Sequence, residues 1–284
     1  MEMFKIEGEP QEVTDIREKI LNQFNDLEFI ESSHQYFLPQ KDGSKLELQS
    51  VSHVTHQFQE PFDEELVAER YAKKHGKTKE YWLDQWKYKS LKATTLGTQV
   101  HCFCECMSYV KNNVPNLIPQ EFKYRYIEDK NWLIPIHPKE EAGLKFWNEF
   151  PNNLWYVLAE TKVYTNKYAG TFDLLGYYKH PTDDTKSGLV ILDYKTNVSL
   201  TKDYSRSQNK MLLPPFEDLW DESLSLYTLQ LSAYQIPLED MGFNIIGRRL
   251  IHLKEDGTYE LVPLGDKTKE LRETLELDGF KKED

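Results

Sequence analysis

A mixed α/β domain is the fold class the sequence predicts, and three observations predict it. Apolar residues recur at helical spacing through "QEVTDIREKILNQFN" and again between Phe62 and Tyr109. The period then shortens to three aromatic and β-branched runs, "LWYVLAETKVYT", "GTFDLLGYYK" and "GLVILDYKT", separated by "NKYAG" and "HPTDDTKSG". A helical stretch, "LSLYTLQLSAYQIPLE", follows them. Helices on both sides of three consecutive strands describe a sheet that buries its faces under helices. The 284 residues suffice for one sizeable domain with elaborations. We divide them into an N-terminal appended lobe, 1–60, and a main domain, 61–284, forming one compact unit overall.

Within the lobe, the helix over 11–25 is followed by "HQYFLPQKDGSKLELQSVSHVTHQF", a hairpin around "KDG" that turns into a second helix. From Phe62 to Tyr109 helix signals dominate, and Lys73, Lys74, Lys77, Lys79, Lys87, Lys89 and Lys92 concentrate the local positive charge. This run reads either as a surface for a phosphate backbone or as a solvated helix face. Trp82 and Trp86, interleaved with the lysines, read as core packing or as a place to stack unpaired bases. Residues 111–137, with Pro115, Pro119 and Pro135, form an irregular insertion before a helix at "PKEEAGLKFWNEF". After the three strands comes a loop at "SQNKMLLPPFEDLWDES", then the helix, expected to close at Pro237. A hairpin turning at Asp256 and Gly257 and a terminal helix end the chain. Arg248 and Arg249, adjacent on a strand, face opposite ways, so one at most can grip a phosphate.

Composition narrows the function. No stretch approaches eighteen consecutive apolar residues, so no membrane span is expected. The start "MEMFKIEGEP" has neither a secretory nor a transit-peptide layout, and the expected location is cytoplasmic. The three cysteines all lie between Cys102 and Cys106, a pattern of reduced thiols rather than a bridge framework. A net charge of −12 argues against a protein that coats nucleic acid by bulk attraction, while leaving room for a local basic track.

The chemistry concentrates in "VILDYKT". Residues two apart on a strand share a face, so Asp193 and Lys195 emerge together while Tyr194 points away. Charges at the end of an apolar run are costly unless they pair or serve a metal and substrate, so a structural ion pair and a reactive site both remain open. In "GTFDLLG" Asp173 also sits within an apolar run, with Gly170 and Gly176 permitting close approach. Should these strands be neighbours, the two aspartates reach one cation. Few hard oxygen ligands suit Mg²⁺ or Mn²⁺. His101 and Glu105, in "GTQVHCFCE", lie one helical turn apart on one face and can project into the same site. The thiols sit on other faces, so no tetrahedral zinc set forms while the segment is helical. An iron–sulfur cluster would need four thiolates where the chain has three.

In this order "GTQVH", "AGTFDLLG", "LDYKT" and "LQLSAY" resemble the RecB-type branch of the PD-(D/E)xK nuclease superfamily. That branch includes the RecB nuclease domain, CRISPR-associated adaptation nucleases and mitochondrial genome maintenance exonucleases. The resemblance runs from about Gly97 to Tyr234, and "HQYFLP" with "LQSVSHV" is similar to the lead-in of mitochondrial-type and phage members. It implies a restriction-endonuclease-like αβββαβ core, with a central mixed sheet flanked by helices and an N-terminal helical and hairpin elaboration. It further implies that His101, Asp173, Asp193 and the Tyr194 carbonyl hold Mg²⁺ or Mn²⁺, that Lys195 positions or activates the attacking water, and that Gln230, Tyr234 and Thr196 contact substrate. Glu105 and Glu160 are candidates for a supporting role around the ligands, Glu160 also for a second ion or an ordinary structural place. The expected activity is that of a deoxyribonuclease, an exonuclease on single-stranded or free DNA ends. Its setting is replication, recombination, repair or phage DNA processing, with any protein partner unspecified. Two other classes compete with it: a nuclease-like fold kept for binding without cutting, and a zinc hydrolase using His101 and the thiols.

Overall fold

The stripe Val13, Ile16 and Ile20 is buried and makes α1 (Gln11–Gln23) an amphipathic helix laid against the sheet. A computed structural model describes residues 6–30 and 33–279. Met1–Lys5, Glu31, Ser32 and Phe280–Asp284, with the outer ends of the spans 1–60 and 61–284, lie outside the described residues. After α1 come β1 (Glu28–Ile30), the expected hairpin of β2 (Gln35–Pro39) and β3 (Lys45–Ser50), and α2 (Val51–His56), whose N-terminus is capped by the Ser50 hydroxyl. Helix α3 (Glu64–His75) ends on Gly76 in the left-handed region, and α4 (Lys79–Lys111) follows with Thr78 as its cap. Only from Val100 onward does α4 bury side chains, so its first five turns run over the surface beside α3.

The insertion consists of short 3-10 turns and one small ladder, β4 (Tyr126–Ile127) with β5 (Trp132–Leu133). Next come α5 (Pro138–Asn148) and the three expected strands, β6 (Leu154–Tyr164), β7 (Tyr168–Tyr178) and β8 (Gly188–Lys195). The expected loop beyond them begins inside a short helix, α6 (Asp203–Ser207). Then α7 (Ser223–Asp240), β9 (Ile245–Leu253), β10 (Tyr259–Pro263) and α8 (Thr268–Thr274) complete the order. One expectation is corrected: α7 does not stop at Pro237 but continues to Asp240. Proline cannot donate to the carbonyl four residues back, that of Ala233, and the Tyr168 hydroxyl donates to it instead, at 2.8 Å.

The chain is a mixed α/β fold, with a central mixed sheet flanked by helices. Among the described residues eight strands form it: β6–β7, β7–β8 and β9–β10 are antiparallel, β8–β9 and β3–β7 parallel, and β1–β2–β3 is an antiparallel meander at one end. The N-terminal segment therefore shares the sheet with the rest of the chain. It also shares the core, since Val13, Ile20, Val51 and Phe58 pack in one cluster with Val157, Phe172, Leu229 and Leu250. A second cluster, built from α4, α5 and Leu174, Leu192 and Tyr194, covers the other face. Strand β8 alternates Leu189 and Ile191 into the first with Leu192 and Tyr194 into the second.

One feature of the sheet prepares the site. Strand β6 pairs along nearly all of one edge of β7, but two strands divide its other edge: β3 pairs at Tyr168 and Ala169, β8 from Leu174 to Tyr178. Residues 170–173 lie between them, at a split in the sheet.

Candidate metal centre

Asp173 ends that split. Continuing the β7–β8 register by one residue sets Asp193 across from it, so two carboxylates face each other where the ladder opens. Both are largely shielded from bulk water, Asp193 being 1% exposed and Asp173 8%. Asp173 Oδ2 accepts the Tyr194 N–H at 2.7 Å and lies 3.3 Å from His101 Nδ1. Helix α4 delivers His101 because its buried stripe, Val100, Phe103 and Met107, is pinned in the second cluster. The Tyr194 ring, fully buried, packs edge-on against His101 and Phe146. Lys195 forms an ion pair with Asp193, and its ammonium lies over the Tyr227 ring, 4.4 Å from the centroid.

Glu160, expected as a supporting acid, a ligand of a second ion or a structural residue, stands among the donor atoms themselves. It stands on β6 opposite Asp173 with φ +44, a left-handed conformation that costs a side-chain-bearing residue about 1–2 kcal/mol. The β6–β7 register shifts between Tyr156 and Leu158, a bulge that re-aims the strand just ahead of it. Donor atoms of His101, Glu160 and Asp173, one from each, lie within 4.8 Å of one another. That is close to the ~4.2 Å spanned by opposite ligands of Mg²⁺ at ~2.1 Å each. One imidazole and two carboxylates are a donor set for such an ion or for Mn²⁺. The set drawn together is thus His101, Asp173 and Glu160, with Asp193 beside it on Lys195.

Electrostatics follow from crowding acids in a poorly solvated place. Burial, then Asp173, push the Asp193 carboxyl up to about 6 although Lys195 opposes them. Burial works against the Lys195 ammonium, but Asp193 and Asp173 beside it raise its pKa. Burial likewise opposes the His101 cation, and Asp173 outweighs it, so His101 is raised. The Asp173 carboxyl is held low, because His101, Lys195 and the Tyr194 N–H together overcome its burial. Glu160 is pushed far up by burial and by Asp173, Glu105 and Asp193. Negative charge in excess of local cations is what a divalent ion would relieve.

Around the centre runs a groove of two joined cavities, about 1020 and 510 Å³, which meet at Phe29, His34, His101, Glu160 and Lys195. Thr196 and Glu105 line the outer part. Thr196 is held through its carbonyl by Lys139 Nζ at 2.7 Å, and Glu105 accepts the Tyr109 hydroxyl at 2.7 Å. Gln230 and Tyr234 line the inner part and are bonded to each other at 3.1 Å. Gly170 admits Tyr234: a Cβ there would sit 2.7 Å from its ring and 2.9 Å from Val51. Tyr227, unnoticed in the sequence, had a signal there, since Tyr227, Gln230 and Tyr234 fall at i, i+3 and i+7 of one helix face. Phe29 had none, and His34 was marked only as the start of the "HQYFLP" lead-in, because only the tertiary fold carries their hairpin to the site.

Other candidates fall elsewhere. Trp82 and Trp86 pack edge-on to Tyr71 of α3, at 5.3 and 5.6 Å, and tie the two helices together. Arg248 bonds Gly265 O at 2.9 Å and Asp266 at 3.2 Å, while Arg249 is exposed. Cys104 and Cys106 are buried, and burial raises both thiols, Cys106 to about 12 and Cys104 well above its ordinary value. No helix among the described residues is long and apolar enough to cross a membrane. No protein-family model matches the chain, and no curated protein is significantly similar to it.

Proposed function

We propose that the chain is a metal-dependent nuclease that hydrolyses DNA phosphodiester bonds, acting as an exonuclease on single-stranded or free ends. The observation that carries this reading is the acidic and basic constellation at the split of the sheet: Asp173, Asp193, Glu160 and His101 gathered with Lys195 at the meeting point of two halves of one groove. The segment α4–β6–β7–β8–α7–β9 supports reading the core as restriction-endonuclease-like αβββαβ, with α5 and the insertion added.

His101, Asp173 and Glu160 would hold the cation, with Asp193 and the Tyr194 carbonyl as further donors. A bound Mg²⁺ or Mn²⁺ supplies Lewis acidity toward the phosphate and lowers the pKa of its water. The Lys195 ammonium, anchored on Asp193 and backed by Tyr227, offers its remaining protons to the attacking oxygen or to charge building on the phosphate. The Tyr194 peptide fixes Asp173, and the buried Tyr194 ring fixes the strand on which Asp193 and Lys195 ride. Gln230 and Tyr234 would present an amide and a hydroxyl toward the nucleotide, and Thr196 lines the outer cavity.

The test uses oligodeoxynucleotides, single- and double-stranded, labelled separately at each terminus and incubated with Mg²⁺ or Mn²⁺. Wild type is expected to cut and EDTA to stop it. Lys195→Ala is expected to slow cutting by roughly 10²–10⁴-fold. Undiminished cutting by Lys195→Ala would refute the assignment, and DNA retention in EDTA with no cutting under either ion would leave a binding module instead.

A further inference from the structure

The geometry points to Phe29 and His34 as a stacking ledge for one unpaired nucleobase, set beside the candidate metal centre; the inference rests on the nuclease reading and names a subsite within it. Three rings of the N-terminal hairpin form a graded column. Tyr36 is buried and its hydroxyl lies 3.2 Å from the Thr171 hydroxyl, inside the split of β7. Phe29 packs on Tyr36 with centroids 4.6 Å apart and is half-buried. His34 stands edge-on to Phe29 at 5.1 Å and is exposed, held by a backbone with φ +55. The column therefore climbs from the floor of the split to its rim.

Its position singles it out. Phe29 and His34 line both cavities of the groove, and the other residues common to both are His101, Glu160 and Lys195. A chain passing from one cavity to the other runs past residues of both the ledge and the acidic centre. Lys89 and Lys92 of α4 line the outer cavity, so a strand lying there has cations for its phosphates. Every base has a π-face that an aromatic ring accepts, whereas a base held in a duplex cannot present one. Phe29 is partly packed on its own neighbours, and what an ordinary core residue would lack is the seat at the junction.

The test is an abasic scan. Single-stranded oligodeoxynucleotides carrying one abasic position, moved a nucleotide at a time, are bound in Mg²⁺ by Lys195→Ala protein, in which cutting is suppressed, and followed by fluorescence anisotropy. One position is expected to weaken binding by roughly ten- to hundredfold. In Phe29→Leu, which keeps an apolar contact on Tyr36, intact DNA is expected to bind weaker by a similar factor and the dip to vanish, while Phe29→Trp restores it. A flat scan, or a dip that survives Phe29→Leu, overturns the ledge. The two readings fail separately: cutting by wild type with a flat scan removes the ledge alone, and a Phe29-dependent dip without cutting under any divalent ion removes the nuclease reading alone.

Discussion

A glutamate in the left-handed region in mid-strand is the residue whose conformation most needs a reason. Glu160 carries backbone strain and sits among Asp173, Asp193 and Glu105, and both costs are tolerable where the carboxylate is needed at one point in space. Glu160→Gly removes strain and charge together. In EDTA it is expected to raise stability by about 1 kcal/mol, a few degrees in melting temperature, and to abolish the stabilisation that Mn²⁺ gives wild type. Thermal melts with and without the ion check it, and a lower melting temperature in EDTA would show that the residue stabilises the fold. At this scale much was legible. Asp173, Asp193 and Lys195 announced themselves as charges inside apolar runs, and His101 and Glu105 as a helical pair. Glu160 was legible only as one of three alternatives, a supporting acid, a second-ion ligand or a structural residue, because its orientation depends on a bulge that only pairing with β7 creates.

Elements hold that bulge in place. From α1, Arg17 Nε donates to Val157 O at 2.8 Å while its guanidinium pairs with Glu9 at 2.6 Å, both side chains 1% exposed. Burial raises the Glu9 carboxyl, yet the hydrogen bonds from Arg17 and Thr14 outweigh it and hold the group below its ordinary 4.5. A depressed carboxylate contributes stability that is complete above the unfolded value and lost as pH falls through the folded one. Glu9→Gln is therefore expected to cost about 3 kcal/mol at pH 7 and less at pH 3, where the contribution of the depressed carboxylate has begun to be lost. Chemical denaturation at the two pH values decides it, and an equal cost at both would contradict the ion pair. The Tyr168 bond to Ala233 O makes a second case. Tyr168→Phe is expected to destabilise by about 1–3 kcal/mol, and Pro237→Ala in the same chain to recover part of that by returning an N–H to the carbonyl. Additive losses in that double variant would contradict the explanation. The same contact shows why the helix-stop rule failed at Pro237: it is local, and a hydroxyl from β7 overrode it. Strand and hairpin positions were legible because period and turn residues are local too.

At the scale of the molecule, the expected lobe and main domain are joined through the β3–β7 pairing and a common core, a relation no local pattern discloses. That join creates the split in the sheet, brings the Phe29 hairpin to the groove and leaves α3 and the first half of α4 as a lysine-bearing arm beside it. A chain of net charge −12 thus presents cations along one groove and gathers its acids at the groove's midpoint. Those acids are the centre of the account, and a Mn²⁺ titration followed by electron paramagnetic resonance of the free ion tests them most directly. Wild type is expected to take up Mn²⁺ at a site that Asp173→Asn and His101→Ala each weaken by at least tenfold, while Glu255→Gln, at the outer end of the groove, leaves it unchanged. Equal uptake by all four proteins would contradict the claim that these side chains form a cation site.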